Sequence, residues 1–147
     1  VVVDERYAYL ANEFPGFSVV DIHDPTQPEI IGEFQSFGPG NRLAIQDTTV
    51  SLSHSSFVTL LDVSRPNSPS EITRIKGTNP MGMVLTENRL YIADSGHIRI
   101  FYISDPSLPQ ELHTVEVGGN PVELVMNSAL LYGADKQKGL VVVPIPE

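Results

Sequence analysis

The residues with the widest chemical repertoire in this sequence are its four histidines. They are His23, His54, His97 and His113, and no HxxxH or HExxH spacing joins any two of them. Relative to the internal repeat of the chain they also occupy four different positions, so they do not form a repeated ligand set. The sequence therefore predicts turn or surface roles for them, without a shared metal or catalytic site.

The stretch DSGH, at Asp94–His97, places three residue types of a catalytic triad side by side. Neighbouring residues of a tight turn cannot face one another as a nucleophile, a base and a carboxylate must. The nucleophile motif GxSxG does not occur in the sequence either. Nucleophilic catalysis is not indicated, and we assign no catalytic residues.

Aspartates recur where apolar runs end, which raises the question of calcium. Calcium prefers clustered carboxylate and carbonyl oxygens on loops, but the motif D-x-[DN]-x-[DN]-G is absent and these aspartates stand in separate segments. Capping of turns by the Asp side chains is the favoured interpretation, with a structural calcium ion as the alternative. No metal-binding or cofactor-binding residue is assigned, and no cofactor is expected. The aspartates are Asp21, Asp24, Asp62, Asp94, Asp105 and Asp135.

Two glycine-bearing stretches, SFGPGN at 36–41 and GGNP at 118–121, invite comparison with phosphate-binding loops. They lead into strand-like runs and lack both the helix and the lysine of such loops. We therefore expect them to connect sheets. Four aromatic residues in the first quarter of the chain are of the type that binds sugars or peptides, but packing in the core is favoured for them: Tyr7, Phe14, Phe17 and Phe37.

The composition sets broad limits on function. The chain has 147 residues, 41% of them hydrophobic and 18% charged, with a net charge of −9. That composition predicts one folded domain, and the acidic balance argues against binding to nucleic acid or to anionic membranes. Without cysteine there are no disulfides or thiolate ligands, and no apolar run is long enough to span a bilayer. The first residues, VVVDERYAYL, predict either a processed end or a cut inside a longer protein.

The elements that position these residues come from an internal repeat of about 41 residues. Shifting the sequence by 41 superposes Pro39, Pro80 and Pro121. The same shift places four further residues at one position, followed two residues later by another four: Tyr9, Val50, Tyr91 and Tyr132, then Ala11, Leu52, Ala93 and Ala134. A phrase with two prolines recurs as DIHDPTQP, DVSRPNSP and YISDPSLP.

Each repeat contains four short strand-like runs separated by turn residues. In the third copy these are 82–86, 89–93, 98–103 and 111–117. No segment has a sustained 3.6-residue period, so we expect essentially no helix. The third run of each copy hardly alternates between apolar and polar residues, which predicts that both of its faces are covered: FSVVDI, FVTLLDV, IRIFYI and LVVVPI.

Four antiparallel strands in about 41 residues, with the middle strands covered on both faces, are typical of a β-propeller blade. The sequence predicts an all-β fold with one domain over 1–147. Its blades span about 1–38, 39–78, 79–119 and 120–147, the last of them incomplete. The first proline of each phrase sets a turn, and the second precedes an edge strand, where a missing N–H costs no ladder bond.

At these residues the sequence resembles the LVIVD-repeat family of β-propellers. YLAN…GFSVVDIHDPTQP at 9–28 and YIADSGHIRIFYISDPSLP at 91–109 match the repeat well, and YGADKQKGLVVVPIP at 132–146 matches until it stops. The second copy departs most, because Arg65 stands where the repeat has an acidic residue. The resemblance implies an exported or cell-surface protein of a prokaryote. It carries over no catalytic residues.

The predicted number of blades, three and a partial fourth, is small for a closed ring. Three arrangements are open: the chain is a segment of a larger propeller, two copies complete one ring, or the chain closes alone as four blades. The partner is accordingly the rest of a longer chain, a second copy, or an unidentified protein or small molecule.

Two functions of different classes follow from this fold. The first is a non-catalytic module that presents a binding or scaffold surface to a macromolecule or a small ligand. The alternative is part of a propeller-type enzyme, hydrolase-like or lyase-like, with a site at the central channel completed by further blades. Carboxylates or histidines converging at the channel mouth are the feature that distinguishes the enzyme.

Overall fold

The computed structural model describes residues 1–145 and forms four small antiparallel sheets. The first contains β1 (Val2–Val3), β2 (Tyr7–Ala11), β3 (Gly16–Asp21) and β4 (Glu29–Gln35). The second contains β5 (Arg42–Gln46), β6 (Thr49–Ser53), β7 (Phe57–Asp62) and β8 (Ser70–Lys76). The third contains β9 (Pro80–Leu85), β10 (Arg89–Asp94), β11 (His97–Tyr102) and β12 (Gln110–Glu116). The fourth contains β13 (Pro121–Met126), β14 (Leu130–Asp135) and β15 (Gly139–Pro144).

Each sheet is a simple meander in which every strand pairs with the next one along the chain. Residues 1–145 contain no helix, so the prediction of an all-β propeller architecture is confirmed. The strands of the third repeat lie within two residues of the predicted runs. A one-residue shift of register, typical of a β-bulge, recurs between the third and fourth strands of the first three sheets, at Val19/Val20, Leu60/Leu61 and Ile100/Phe101.

The core consists of three apolar clusters, each between two consecutive sheets. Tyr9, Phe17 and Val19 of the first sheet pack against the second sheet, and Tyr91 and Ile100 of the third pack against the fourth. The remaining cluster joins the second and third sheets through buried side chains that include Val58, Leu60, Leu90, Ile92 and Phe101. A sheet of three or four short strands cannot bury both of its faces alone, so each one is stabilised by its neighbours.

The phrase with two prolines occupies the connection between the third and fourth strands. Pro28, Pro69 and Pro109 immediately precede β4, β8 and β12, as the sequence predicts. In each connection a backbone hydrogen bond between two residues three apart closes the turn, as in Gln27 N–H to the Asp24 carbonyl at 3.0 Å. The Asp24 carboxylate also accepts the Thr26 N–H at 2.9 Å, and the Asp105 carboxylate accepts the Ser107 N–H at 3.0 Å.

The repeat register of the second sheet differs from the one that the fixed shift of 41 predicts. Val19, Leu60 and Ile100 are the equivalent residues that precede the recurring bulge. Val19 pairs with Tyr9 and Ile100 pairs with Tyr91, whereas Leu60 pairs with Ser51. Ser51 therefore takes the place of the tyrosine, and the assignment of Val50 to that place is wrong. Tyr9 and Val19 are ten residues apart, whereas Ser51 and Leu60 are nine apart, so the hairpin of the first sheet is one residue longer and displaces the register.

The prediction that third strands are covered on both faces holds for three of the four sheets. In β3, β7 and β11 most side chains are buried or half-buried. In β15, by contrast, Leu140 and Val142 are 62% and 47% exposed. The fourth sheet packs against the third with one face only, so alternate residues of β15 point to solvent.

Candidate functional site

One end of the sheets carries both the hairpins that join second and third strands and the connections that lead from one sheet to the next. The two kinds of loop are bonded together: the N–H groups of Ser36, Gly77 and Val117 donate to carbonyls of the neighbouring hairpins at 2.9 Å. We call this end the loop face. It comprises the hairpins 12–15, 54–56, 95–96 and 136–138 and the connections 36–41, 77–79 and 117–120.

The glycine-bearing stretches 36–41 and 118–121 lie in these connections, as predicted. The residue that ends or follows each second strand fixes a nearby loop through its side chain, either the hairpin that follows it or the connection that enters its sheet. In the pairing register these four residues are equivalent: Asn12, His54, Asp94 and Asp135.

An open cleft of about 600 Å³ lies on the loop face between the second and third sheets. It is lined by residues 76–78 at the end of β8, by residues 94–95, and by His97, Arg99 and Thr114. Asp94 forms its floor and is only 4% exposed. Its carboxylate accepts the N–H of Thr78 at 3.0 Å and that of Asn79 at 2.7 Å. Asp94 therefore anchors the connection that enters β9.

Arg99 is the centre of the wall of this cleft. Its guanidinium donates two hydrogen bonds to Glu111, at 3.1 and 2.7 Å, and one to the Lys76 carbonyl at 2.6 Å. It also contacts Asp94 at 3.3 Å and lies 4.9 Å from the ring centre of Phe101. Such a fork of donors, each with an acceptor in place, is rigid compared with a free surface arginine.

Arg99 pairs with two carboxylates of the cleft, those of Asp94 and Glu111. The hydrogen bonds to Glu111 raise the pKa of Arg99, and the same contact lowers the pKa of Glu111, which also accepts the Thr114 hydroxyl at 2.7 Å. Both groups stay ionised over the whole neutral range. A base or an acid with a pKa near neutrality, which proton-transfer catalysis requires, is not formed by this pair.

The rim of the cleft leaves hydrogen-bonding groups available to a ligand. His97 uses Nδ1 to donate to the Ser95 carbonyl at 3.1 Å, which leaves Nε2 as an acceptor. Ser95, Thr78 and Thr114 are exposed. The arrangement is a fixed floor and wall surrounded by uncharged donors and acceptors, which suits recognition of polar groups.

Two aromatic side chains lie exposed on the same loop face, and here the prediction of core packing is wrong. Phe17 is buried, but Phe14 and Phe37 are 78% and 76% exposed. Phe14 lies in the hairpin 12–15 and Phe37 in the connection 36–41. Arg74 lies over the Phe37 ring with its guanidinium carbon 4.2 Å from the ring centre, and forms an ion pair with Glu71 at 2.6 Å.

His54 is buried at the junction of the first and second sheets. Its Nδ1–H donates to the Pro39 carbonyl at 3.2 Å and its Nε2 accepts the Thr59 hydroxyl at 3.2 Å. The imidazole stacks on Phe57, with the ring centres 4.3 Å apart. Burial lowers the pKa of His54, so the neutral ring is the stable form. This histidine holds a connection in place.

The inner strands β5, β9 and β13 form the centre of the molecule. A Cβ atom on Gly82 of β9 would lie 2.5 Å from Cα of Glu123, so the backbones of β9 and β13 are in direct contact there. Across this centre Arg42 and Glu123 form a half-exposed ion pair at 3.4 Å. Within residues 1–145 no group of three or more His, Asp or Glu side chains is placed to hold a metal ion.

Most predicted turn aspartates do cap turns. Asp21 and Asp62 accept the N–H two residues ahead at 2.8 Å, and Asp135 accepts those of Gln137 and Lys138 at 2.7 and 2.8 Å. Burial raises the pKa of Asp135, but these N–H donors outweigh it and the pKa is lowered. Sequence reasoning missed Arg99, whose signal is an arginine within the apolar run IRIFYI, and Arg74, which stands in the mixed strand SEITRIK and gives no such signal.

Comparison with solved structures agrees with this architecture. The chain superposes on the computationally designed Ika4 protein with a TM-score of 0.73 at 12% identity, over 99% of this chain and 88% of that one. A functionally unknown protein from Desulfotomaculum acetoxidans gives 0.71 at 13% identity, over 99% and 53%. BamB from Moraxella catarrhalis gives 0.63 at 17% identity, over 96% and 42%. The fold is therefore that of a β-propeller repeat protein.

The family follows from the sequence profile of the LVIVD repeat, which matches residues 1–36 and 79–117. These segments make up half of the chain, and the chain belongs to the LVIVD repeat family. The unmatched part includes the second repeat, the one that departs most from the pattern. No curated protein matches the sequence. Among residues 1–145 there is no helix of the length and apolarity that crossing a membrane requires.

Proposed function

We propose that this chain is a non-catalytic binding module whose loop face receives another macromolecule or a small ligand. The cleft beside Arg99 is the binding site, and its ligand offers uncharged polar groups that hydrogen-bond to the rim. The observation that carries the proposal is that the ionised groups fixed in the floor and wall of the cleft pair with one another. Arg99, Asp94 and Glu111 form a closed set, so the cleft supplies shape and hydrogen bonds without a reactive group.

The surroundings of the cleft support the same function. Phe14 and Phe37 add exposed aromatic surface to the loop face, and aromatic side chains together with arginine are enriched where proteins bind one another. Arg74 is held by Glu71 over the Phe37 ring, which makes this patch a preformed one. Preformed surfaces bind with a smaller loss of side-chain entropy.

The centre of the molecule favours binding over the alternative of a channel-type enzyme. The groups that meet there are Arg42 and Glu123, which neutralise each other, and the backbones of β9 and β13. A hydrolase or a lyase needs a carboxylate or a histidine that is free to move a proton. An exported or cell-surface location, implied by the family, fits a module that binds partners outside the cell.

The test uses two probe collections, a displayed library of random peptides and a library of small polar fragments followed by ¹H–¹⁵N NMR. We expect hits that lose at least about tenfold in affinity for a Thr78→Ala/His97→Ala variant, because both changes remove hydrogen-bonding groups from the rim. The matched control is Thr26→Ala/His23→Ala, the same two residue types at the opposite end of the sheets, and it should bind like the parent.

Hits that bind the rim variant as well as they bind the parent would overturn the proposed site. An absence of hits from both collections would overturn the function. Turnover of chromogenic ester or glycoside substrates that survives in the rim variant would indicate the enzyme instead.

A further inference from the structure

The fourth sheet has one apolar face that no other sheet of the structure covers. Its strand pairing aligns Val125 with Tyr132 and Val142 in one row, and Ala134 with Leu140 in the next. Val125 and Leu140 are 61% and 62% exposed. These are aliphatic side chains in strand positions that face solvent together, and they line a shallow apolar depression.

The first sheet has an uncovered face as well, on the side away from the second sheet. Pairing aligns Val3 with Ala8, Ala8 with Val20, and Val20 with Ile30, so these four residues form one row across the sheet. Val3 and Ile30 are 61% and 60% exposed. Leu10 continues the apolar surface one pleat further along β2.

The two free faces are the two halves of an interface that the chain builds repeatedly. Tyr91, Ala93, Ile98 and Ile100 of the third sheet pack against the fourth sheet. The residues that take these places in the fourth sheet, by pairing register, are the free ones: Tyr132, Ala134, Leu140 and Val142.

The same correspondence holds for the opposite face. Leu90, Ile92 and Phe101 of the third sheet pack against the second. Their counterparts in the first sheet, by register from the bulge, are the free residues Ala8, Leu10 and Val20. One end of the molecule therefore presents the surface that the other end is shaped to receive.

The two ends of one molecule do not cover each other. Val3 and Leu140 are 61% and 62% exposed, whereas their counterparts in the third sheet, Leu85 and Ile98, are 7% and 0% exposed. Uncovered apolar sheet faces of this kind are rare on monomeric proteins, because they lead to association.

We propose that a second copy of this chain covers both faces, so that the fourth sheet of each copy packs against the first sheet of the other. Such a contact joins different surfaces of the two copies, and a two-fold axis makes it twice and closes the ring. The resulting eight sheets continue the packing that already joins the four. This inference is independent of the proposed ligand site, which lies between the second and third sheets.

The lengths of the comparison structures are compatible with a ring of eight sheets. The present chain covers 53% of the Desulfotomaculum acetoxidans protein and 57% of the computationally designed Ika8 protein, on which it superposes with a TM-score of 0.60. In both proteins, the part of the chain that does not match is of a length comparable to the part that does. A second copy supplies a comparable length by association.

The experiment is sedimentation equilibrium of the chain over a wide range of concentrations, with a mass of twice 16.1 kDa expected. Leu140→Glu and, separately, Val3→Lys place a charge in each contact and should raise the dimer dissociation constant by about a hundredfold or more. Both side chains are exposed in the single copy, so circular dichroism should stay unchanged. Leu108→Glu, at a residue 68% exposed in the connection between β11 and β12, is the matched control and should remain dimeric.

Mixing the two variants distinguishes the proposed contact from any other. The Val3→Lys copy has an intact fourth sheet and the Leu140→Glu copy an intact first sheet, so a one-to-one complex should reappear. A monomeric mass at all concentrations, a mass beyond two copies, or a Leu140→Glu protein as dimeric as the control would overturn the proposal.

Discussion

The second and third sheets solve the same structural problem with opposite chemistry. At equivalent positions, His54 and Asp94 each fix the connection that leads into their own sheet. Asp94 accepts backbone N–H groups from Thr78 and Asn79, whereas His54 donates to the carbonyl of Pro39. Both side chains are buried, with Asp94 4% exposed and His54 1% exposed.

The difference decides what surrounds each residue. A buried carboxylate needs compensation, and Asp94 obtains it from Arg99, which in turn recruits Glu111 and forms the wall of the cleft. A neutral imidazole needs no counter-ion and instead stacks on Phe57. One repeat position thus generates a polar cleft in one sheet and a tight aromatic contact in another.

Removing the carboxylate should have the largest effect. Asp94→Ala leaves two buried N–H groups without an acceptor and takes one partner from Arg99, so we expect a loss of about 3 kcal/mol in the free energy of unfolding. Urea denaturation followed by circular dichroism measures it. The control is Asp105→Ala, an exposed turn cap, which should lower the free energy of unfolding by clearly less. Equal losses for the two variants would show that burial and Arg99 add nothing.

His54→Ala should cost less, about 2 kcal/mol, because it removes the stacking on Phe57 and leaves the Pro39 carbonyl and the Thr59 hydroxyl without their partner. The same denaturation experiment applies. His23→Ala, at an exposed histidine, serves as the control and should change stability by less than about 0.5 kcal/mol. A loss for His54→Ala as large as that for Asp94→Ala would remove the distinction between the two positions.

The pH dependence of stability should separate the two sheets further. Burial holds the pKa of His54 below 6.5 in the folded state, so the unfolded chain takes up a proton first as the pH falls. Stability should therefore decline below about pH 6.5, with a slope of at most about 1.4 kcal/mol per pH unit.

His54→Asn, which installs the residue type found at the equivalent position 12, should abolish this part of the slope. Urea midpoints between pH 7.5 and 5 for the parent and the variant give the comparison, since the aspartates are common to both. Parallel curves would refute the role of His54.

Arg99→Lys should have the smallest effect, about 1 kcal/mol, because an ammonium group cannot hold Glu111 with two bonds and reach the Lys76 carbonyl and Asp94 as well. Arg6→Lys is the matched control: Arg6 pairs with Asp21 at 3.1 Å but is 59% exposed, so no measurable change in the free energy of unfolding is expected. Indistinguishable values would mean that Arg99 behaves as an ordinary surface residue.

The sequence predicts the sheets well because their signals are local. Alternation, turn residues and paired prolines recur with the repeat, and each repeat folds into one meander. The register of the second sheet is not predictable by a fixed shift, because the hairpin of the first sheet is longer by one residue and Ser51 therefore takes the place expected for Val50. Which face of β15 is covered depends on a neighbouring sheet, which a local pattern does not encode.

The site was less accessible from the sequence than the fold. The spacing of Arg99 and Glu111 along the chain does not correspond to any known motif. The two residues come together because β11 pairs with β12. Phe14 and Phe37 are apolar and therefore favour a core assignment by composition. Their exposure follows from the loops that hold them, 12–15 and 36–41, which run over the outside of the sheets.

The hairpins of the loop face differ in length while the strands beside them keep their pairing. They comprise four residues at 12–15, three at 54–56 and 136–138, and two at 95–96. Length variation at one site of an otherwise regular scaffold is the property exploited in antibody engineering, where loops are diversified on a constant framework. These hairpins are accordingly the places to graft foreign recognition sequences.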